Sequence, residues 1–161
     1  MFVVCLTGFN SVALITGSAS GIGRSVAKIF VLEGCTRLIL ADLSQESLKS
    51  LAEELKALDE SVKVCCVRCD VSQEADVHRM IDEGVNTFGA IHYAINNAGV
   101  STKPRIPTAE LDVSAFDRVQ NINLRGVWLW ERAELRQMLT QDPVLEIRYL
   151  LRSYGSLCTH D

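Results

Sequence analysis

The stretch from Val12 to Gly23 constrains the fold more than any other part of the chain. Val12-Ala13-Leu14-Ile15 is an unbroken apolar run, which suits a parallel strand buried on both faces. It leads straight into Thr16-Gly17-Ser18-Ala19-Ser20-Gly21-Ile22-Gly23, after which Ile22, Val26, Ile29 and Phe30 recur at helical spacing until Gly34. A glycine turn between a buried strand and a helix lets backbone amides and the positive helix end approach a pyrophosphate with no Cβ in the way. Gly17, Gly21 and Gly23 supply that opening, with Ser20 and Ile22 between them, although three glycines alone also fit a plain strand-to-helix turn.

Strand and helix periodicities then alternate. Arg37 to Asp42 reads as a second strand, and Ser44 caps a helix whose stripe is Leu48, Leu51, Leu55 and Leu58. Val62 to Cys69 is a third strand; Ser72 caps a helix with Val77, Met80, Ile81, Val85 and Phe88 inward, closed by Gly89. Ile91 to Ile95 is the fourth strand, Gly99 to Leu111 a polar loop, and a last helix runs from near Ser114 toward Leu139. Right-handed crossovers turn this order into an α/β fold: one open, Rossmann-type parallel sheet in the order 3-2-1-4 with flanking helices. Ligands bind such sheets at the carboxyl ends of the strands.

A chain of 161 residues suits a single domain, and 48% hydrophobic residues with 3 prolines argue against disorder. A net charge of -4 gives no basic footprint for nucleic acid, and no apolar run is long enough for a membrane span. Met1 to Leu6 lacks the positive start of a secretory signal, so the expected compartment is cytoplasmic. Cys66 and Cys69 have C-x-x-C spacing, but on a strand they point to opposite faces and no second ligand pair exists. The 6 cysteines, Cys5 and Cys158 among them, read as ordinary thiols and no metal is expected.

Asp42 stands at the end of the second strand, where a carboxylate accepts hydrogen bonds from an adenosine ribose and repels a 2′-phosphate. Neither Ser20 nor Leu43 offers a compensating positive charge, so NAD is favoured over NADP.

Thr-Gly-x-x-x-Gly-x-Gly at 16 to 23, Asp70-Val71 after the third strand, Asn96-Asn97-Ala98-Gly99 after the fourth and Asn123 in Ile122-Asn123-Leu124 resemble the short-chain dehydrogenase/reductase family over residues 12 to 140. The resemblance implies that Asp70 and Val71 contact the adenine, and that Asn96, Asn97, Ala98 and Gly99 line the cofactor while buttressing the sheet. It makes Asn123 the helix residue that helps hold a water in the family's proton relay. Asp70 as a turn cap and Asn97 as a satisfied turn residue are the simpler alternatives.

The family's chemistry also uses a serine and a Tyr-x-x-x-Lys after that asparagine, the lysine lowering the tyrosine's pKa for proton transfer. The last lysine here is Lys103; Tyr149 is followed at helical spacing by Ser153 and Tyr154 by Cys158, and Ser156 has no assigned place. After Pro143 the segment Val144 to Asp161 loses the likeness. The expectation is a single dinucleotide-binding domain truncated after its fourth strand and following helix. It would leave the edge of strand four and the last helix open for self-association, unless Leu145 to Leu151 forms a substitute strand or a short helix. His78, His92 and His160 are isolated and read as structural or solvated; Trp128 and Trp130 face different directions and suit packing or an oligomer surface. The expected function is NAD(P)-dependent oxidation or reduction of an alcohol or carbonyl compound, without turnover by this chain. The alternatives are a non-catalytic dinucleotide-binding or interaction protein, or an unstable truncated product.

Overall fold

The fold is taken from a computed structural model, which describes residues 11–102, 106–142 and the backbone of 150–152. Met1 to Leu6, Lys103, Tyr149, Ser153, Tyr154, Ser156, Cys158 and His160 lie outside the described residues.

Four β-strands alternate with helices as their periodicities require: β1 (Val12–Thr16), α1 (Gly21–Leu32), β2 (Arg37–Asp42), α2 (Gln45–Leu58), β3 (Lys63–Arg68), α3 (Glu74–Phe88) and β4 (Tyr93–Asn96). A short 3-10 turn at Thr108–Glu110 leads to α4 (Val113–Gln120), a π-helical segment (Asn121–Gly126), α5 (Val127–Thr140) and β5 (Leu150–Arg152). The sheet is parallel in the order β3-β2-β1-β4-β5. The expected 3-2-1-4 order is therefore present and is extended by one strand. β5 pairs Ala94 with Leu150, Ile95 with Leu151 and Asn96 with Arg152, so the edge of β4 expected to stand open is covered there. For Leu150 and Leu151 this decides in favour of a strand; Val144 to Tyr149 lie outside the described residues.

Every residue of β1 is buried, as is the apolar centre of β2, because helices cover both faces. Leu14, Ile39 and Val67 pack on one side with Met80 of α3 and Trp130 of α5. Ile15, Leu38 and Leu40 pack on the other with Ala27 of α1 and Leu48, Leu51 and Leu55 of α2. The two clusters divide the cysteines as strand alternation requires: Cys69 belongs to the first, with Cys65 packed against it, and Cys66 packs against the second. Burial raises the pKa of Cys35, Cys65 and Cys66 and pushes that of Cys69 up to about 12, which disfavours the reactive thiolate in all four.

Several local expectations are corrected. α1 buries Gly23, Ala27 and Val31; of the expected stripe, Val26 and Phe30 pack against the core while Ile22 and Ile29 are 74% and 56% exposed. Small residues at 23 and 27 let this helix lie close to the sheet, and that rotates Ile22 outward. Leu58 lies at the exposed end of α2, leaving three leucines in its core stripe. Ser44 does cap α2, accepting from the Ser47 amide at 3.2 Å, but α3 begins after Gln73. Ser72 instead donates its amide and hydroxyl to Asp70 Oδ1. The last helical stretch does start near Ser114, at Val113 with Asp112 as its cap, but is interrupted by the π-helical segment. Gly34 and Gly89 end their helices at φ 90° and 84°, the left-handed conformation foreseen for them.

His92 Nδ1 accepts the Val12 amide at 2.9 Å, a structural role, and His78 sits 3.6 Å from Glu74 on an exposed face. Trp130 is buried while Trp128 is exposed beneath the Arg132 guanidinium. Among the described residues no helix is long and apolar enough to cross a membrane, and no group of His, Cys, Asp or Glu is arranged to hold a metal.

Candidate dinucleotide site

The carboxyl ends of β1 to β4 open into a cleft of about 550 Å³, walled on the far side by α4 and the π-helical segment. Its floor is the β1–α1 turn. Gly17 and Gly21 take φ of 61° and 52°, which side chains other than glycine's seldom tolerate. The two glycines serve different ends. A Cβ on Gly17 would stand 2.8 Å from Ala98 Cα, so this glycine brings β1 against the β4 loop. A Cβ on Gly21 would meet nothing within 4 Å, so the space above it opens into the cleft. Gly23 lies beneath: a Cβ there would come 2.2 Å from the Gly17 carbonyl oxygen.

The first amides of α1 have no carbonyl partner within the helix, and Ser20, the residue at its cap position, makes no side-chain cap hydrogen bond. Ser20, Gly21 and Ile22 all line the cleft, so the positive end of the helix faces it.

Asp42, at the end of β2, lines the rim beside Leu43. Its Oδ2 accepts the Ala19 amide at 3.0 Å and its Oδ1 accepts the Ser44 amide at 3.2 Å, which fixes the carboxylate relative to the turn. Asp70 and Val71 line the next sector after β3. Asp70 Oδ1 is held by Ser72, and the Asp70 amide donates to Asp76 Oδ2 at 2.8 Å. That bond, with Arg79, holds the Asp76 carboxyl below its usual pKa range.

Asn97, Ala98 and Gly99 line the cleft after β4, but Asn96 does not. Asn96 is 3% exposed and points to the opposite side, where its Nδ2 donates to Glu134 Oε2 at 2.9 Å. Strand alternation separates these neighbours, so only the second asparagine reaches the site. Asn97 Nδ2 donates to the carbonyls of Thr16 and Gly17, each at 3.1 Å, while Thr16 Oγ1 accepts the amides of Asn97 and Ala98.

Asn123 closes the far wall. Its Oδ1 accepts the Val100 amide and its Nδ2 donates to the Val100 carbonyl, both at 2.8 Å, within the π-helical segment. Gly126 allows that segment to approach β3's loop, since a Cβ there would lie 3.1 Å from the Val71 carbonyl oxygen. π-turns inserted in α-helices are frequent at functional sites.

Cys69, Val100, Ser101, Arg118 and Ile122 also line the cleft and were not among the expected site residues. Val100 and Ser101 simply continue the Gly99 loop. Arg118 and Ile122 are four apart, the spacing of one helix face, which was a readable signal.

Residues 11–143 match the family model described as short chain dehydrogenase, and the chain belongs to that family. It is 35% identical over 151 residues to (+)-borneol dehydrogenase 2 of Salvia officinalis, covering 92% of this chain and 52% of that protein. It is 38% identical over 127 residues to 3beta-hydroxysteroid dehydrogenase 2 of Eggerthella lenta, covering 79% and 47%. The crystal structure of a short chain dehydrogenase/reductase from Burkholderia phymatum in complex with NAD superposes with a TM-score of 0.80 at 31% identity, covering 94% of this chain and 50% of that one. The chain thus spans about half the length of the proteins it matches.

Proposed function

We propose that this chain is the cofactor-holding part of an NAD-dependent short-chain oxidoreductase for an alcohol or carbonyl compound, and that by itself it binds the dinucleotide without turning it over. The observation that carries the reading is the start of α1, which has no side-chain cap from Ser20 and lines the cleft through Ser20, Gly21 and Ile22 with open space over Gly21. Gly17, Ser20, Gly21 and Ile22 would surround the pyrophosphate, with Gly23 allowing the close packing beneath. Asp42 would accept the ribose hydroxyls, and its fixed charge disfavours a 2′-phosphate. Asp70 and Val71 would border the adenine, and Asn97, Ala98 and Gly99 the remaining length of the cofactor. Support for NAD comes also from the Burkholderia phymatum complex, and for the substrate class from the two relatives' names.

Bound there, the nicotinamide would supply hydride transfer. Asn123 contributes an ordered carboxamide at the far wall, the relay position that the family resemblance gives it. The reading of no turnover draws on the absence, in this sequence, of a Tyr-x-x-x-Lys after Asn123 to carry the proton step that the family resemblance implies. Titration calorimetry with NADH tests the reading: binding by the folded chain, lost in Gly17→Val, supports it, and a well-folded chain that takes up no NADH refutes it. Purified chain showing robust NAD-linked turnover would refute the second half.

A partner-binding reading draws on the apolar residues Phe116, Leu124, Trp128 and Leu139, all more than half exposed on α4 to α5. Sedimentation of the dilute chain decides it, with a monodisperse monomer counting against self-association.

A further inference from the structure

Glu134 lies in the apolar layer between α5 and the sheet and is 0% exposed. Its Oε2 accepts from Asn96 Nδ2 at 2.9 Å. The other oxygen of each side chain, Glu134 Oε1 and Asn96 Oδ1, is buried with no hydrogen-bond partner among the described residues. Two side chains already joined by one hydrogen bond therefore each keep an acceptor that lacks a donor. One proton on Glu134 cures both defects, because a carboxylic acid O–H donates where a carboxylate cannot. An ionised carboxylate with an unpaired oxygen in this apolar layer would be costly.

We propose that Glu134 is a positioning residue held as the neutral acid, pairing with the Asn96 carboxamide through two hydrogen bonds to tie α5 to the carboxyl end of β4, and giving up one of them when it ionises. The surroundings favour the acid. Burial pushes the Glu134 carboxyl up to about 7, and Glu131 on the same helix acts in the same direction against the Asn96 hydrogen bond. α3 contributes apolar Val77, Met80 and Ile81 to this layer, and its Glu74 pairs with Arg132 of α5. β4 contributes Ala94 and Asn96. In the π-helical segment Arg125 donates to the Ser72 carbonyl. On β5 the register partner of Asn96 is Arg152.

The residue after Asn96 is Asn97, which holds the carbonyls of Thr16 and Gly17. The proton on Glu134 is thereby coupled to the geometry of the glycine turn. That consequence rests on the dinucleotide reading, whereas the clasp itself does not.

Urea unfolding of the full chain from about pH 5 to about pH 8.5 tests the clasp against Glu134→Gln, whose amide can make both hydrogen bonds with no proton to lose. A carboxyl with its folded-state pKa raised above the ordinary 4.5 stabilises the fold at low pH, and the benefit is lost as pH rises through about 7. The unfolding constant of the native sequence should rise relative to Glu134→Gln by up to about tenfold per pH unit, levelling off above neutrality. Parallel curves for the two proteins overturn the proposal. Carbon-13 NMR of native, glutamate-labelled chain is the second arm: a Glu134 carboxyl titrating near neutrality supports the clasp, and one ionised throughout overturns it. Arg152→Ala should keep the slope; a flat curve that steepens on that change reveals an ion pair and overturns the neutral-acid assignment. NADH titrations at about pH 6 and about pH 8 read the coupling separately. No binding by folded chain at either pH counts against the dinucleotide reading and leaves the other arms to judge the clasp.

Discussion

Asn97 donates through its Nδ2 to the Gly17 carbonyl at 3.1 Å, so the loop after β4 holds the turn after β1 from the side. The same nitrogen reaches Thr16, and the Thr16 hydroxyl accepts two amides from the β4 loop. The glycine turn is thus shaped by a partner 80 residues away in sequence as well as by its own glycines. Asn97→Ala leaves those carbonyls without their donor. We expect a loss of about 1–3 kcal/mol in chemical denaturation, together with weaker NADH binding. Unchanged stability would show that the turn holds its shape unaided.

The three glycines should respond differently to an added methyl. Gly23→Ala places a Cβ 2.2 Å from the Gly17 carbonyl oxygen, a contact that backbone must move to relieve. Gly21→Ala meets no atom within 4 Å but must hold φ at 52°, costing about 1–2 kcal/mol of local strain. Melting curves should therefore rank Gly23→Ala as the more damaging. Gly21→Ala should still fold and should report on NADH affinity directly. The reverse ranking would place the crowding elsewhere.

Asp42→Ala removes the carboxylate assigned to the ribose and the acceptor for the Ala19 amide. Loss of a charged hydrogen bond predicts NADH affinity lower by about ten- to a hundredfold. Discrimination against NADPH should shrink, because the repelling charge is gone. Calorimetry with both dinucleotides measures this, and tighter binding of NADPH than NADH by the native sequence would sink the NAD assignment.

Acid should loosen the base of α3. Asp76 has its pKa lowered, first by the Asp70 amide and then by Arg79, and Glu74 has its pKa lowered chiefly by Arg132. Groups with depressed folded-state values add stability above their unfolded values of 3.8 and 4.5 and lose it as pH falls through the folded ones. Asp76→Asn should flatten the acid limb of a stability profile. It should leave the region near neutrality, where Glu134 titrates, with its slope unchanged.

Thiol labelling checks the core. Cys69 is 2% exposed with its pKa at about 12, and Cys35 is wholly buried. Iodoacetamide at mildly alkaline pH should spare both in native chain and modify both in urea, as peptide mass mapping would show. Rapid native labelling of Cys69 would mean that β3 and α3 part readily.

The sheet was legible because β1 and β2 carry long apolar runs, and because glycines at 34 and 89 mark helix ends that only left-handed backbone can make. The facing of α1 was not legible from its large residues. Ile22 and Ile29 repeat like a core stripe, yet Gly23 and Ala27 win the inner face because close packing on the sheet favours the smallest side chains. The site was legible as a set of strand ends, but the division of labour between Asn96 and Asn97 was not. That depends on where strand alternation stops, and adjacent identical residues give no sign of it. Glu134 was invisible for a related reason: on a helix dense with polar residues, only the packing shows which one is enclosed.

Asn123 and Gln141 each grip both groups of one backbone residue, the first at Val100 and the second at Ile91, where Gln141 accepts the amide and donates to the carbonyl. Every residue type except proline offers that same pair of groups. Both grips are therefore indifferent to the side chains at positions 91 and 100, whereas the two carboxamides are not replaceable in this way. Mutational scanning should find tolerance at Val100 and intolerance at Asn123 and Gln141, while at Ile91, which is wholly enclosed, burial and not the backbone grip sets which residues are accepted.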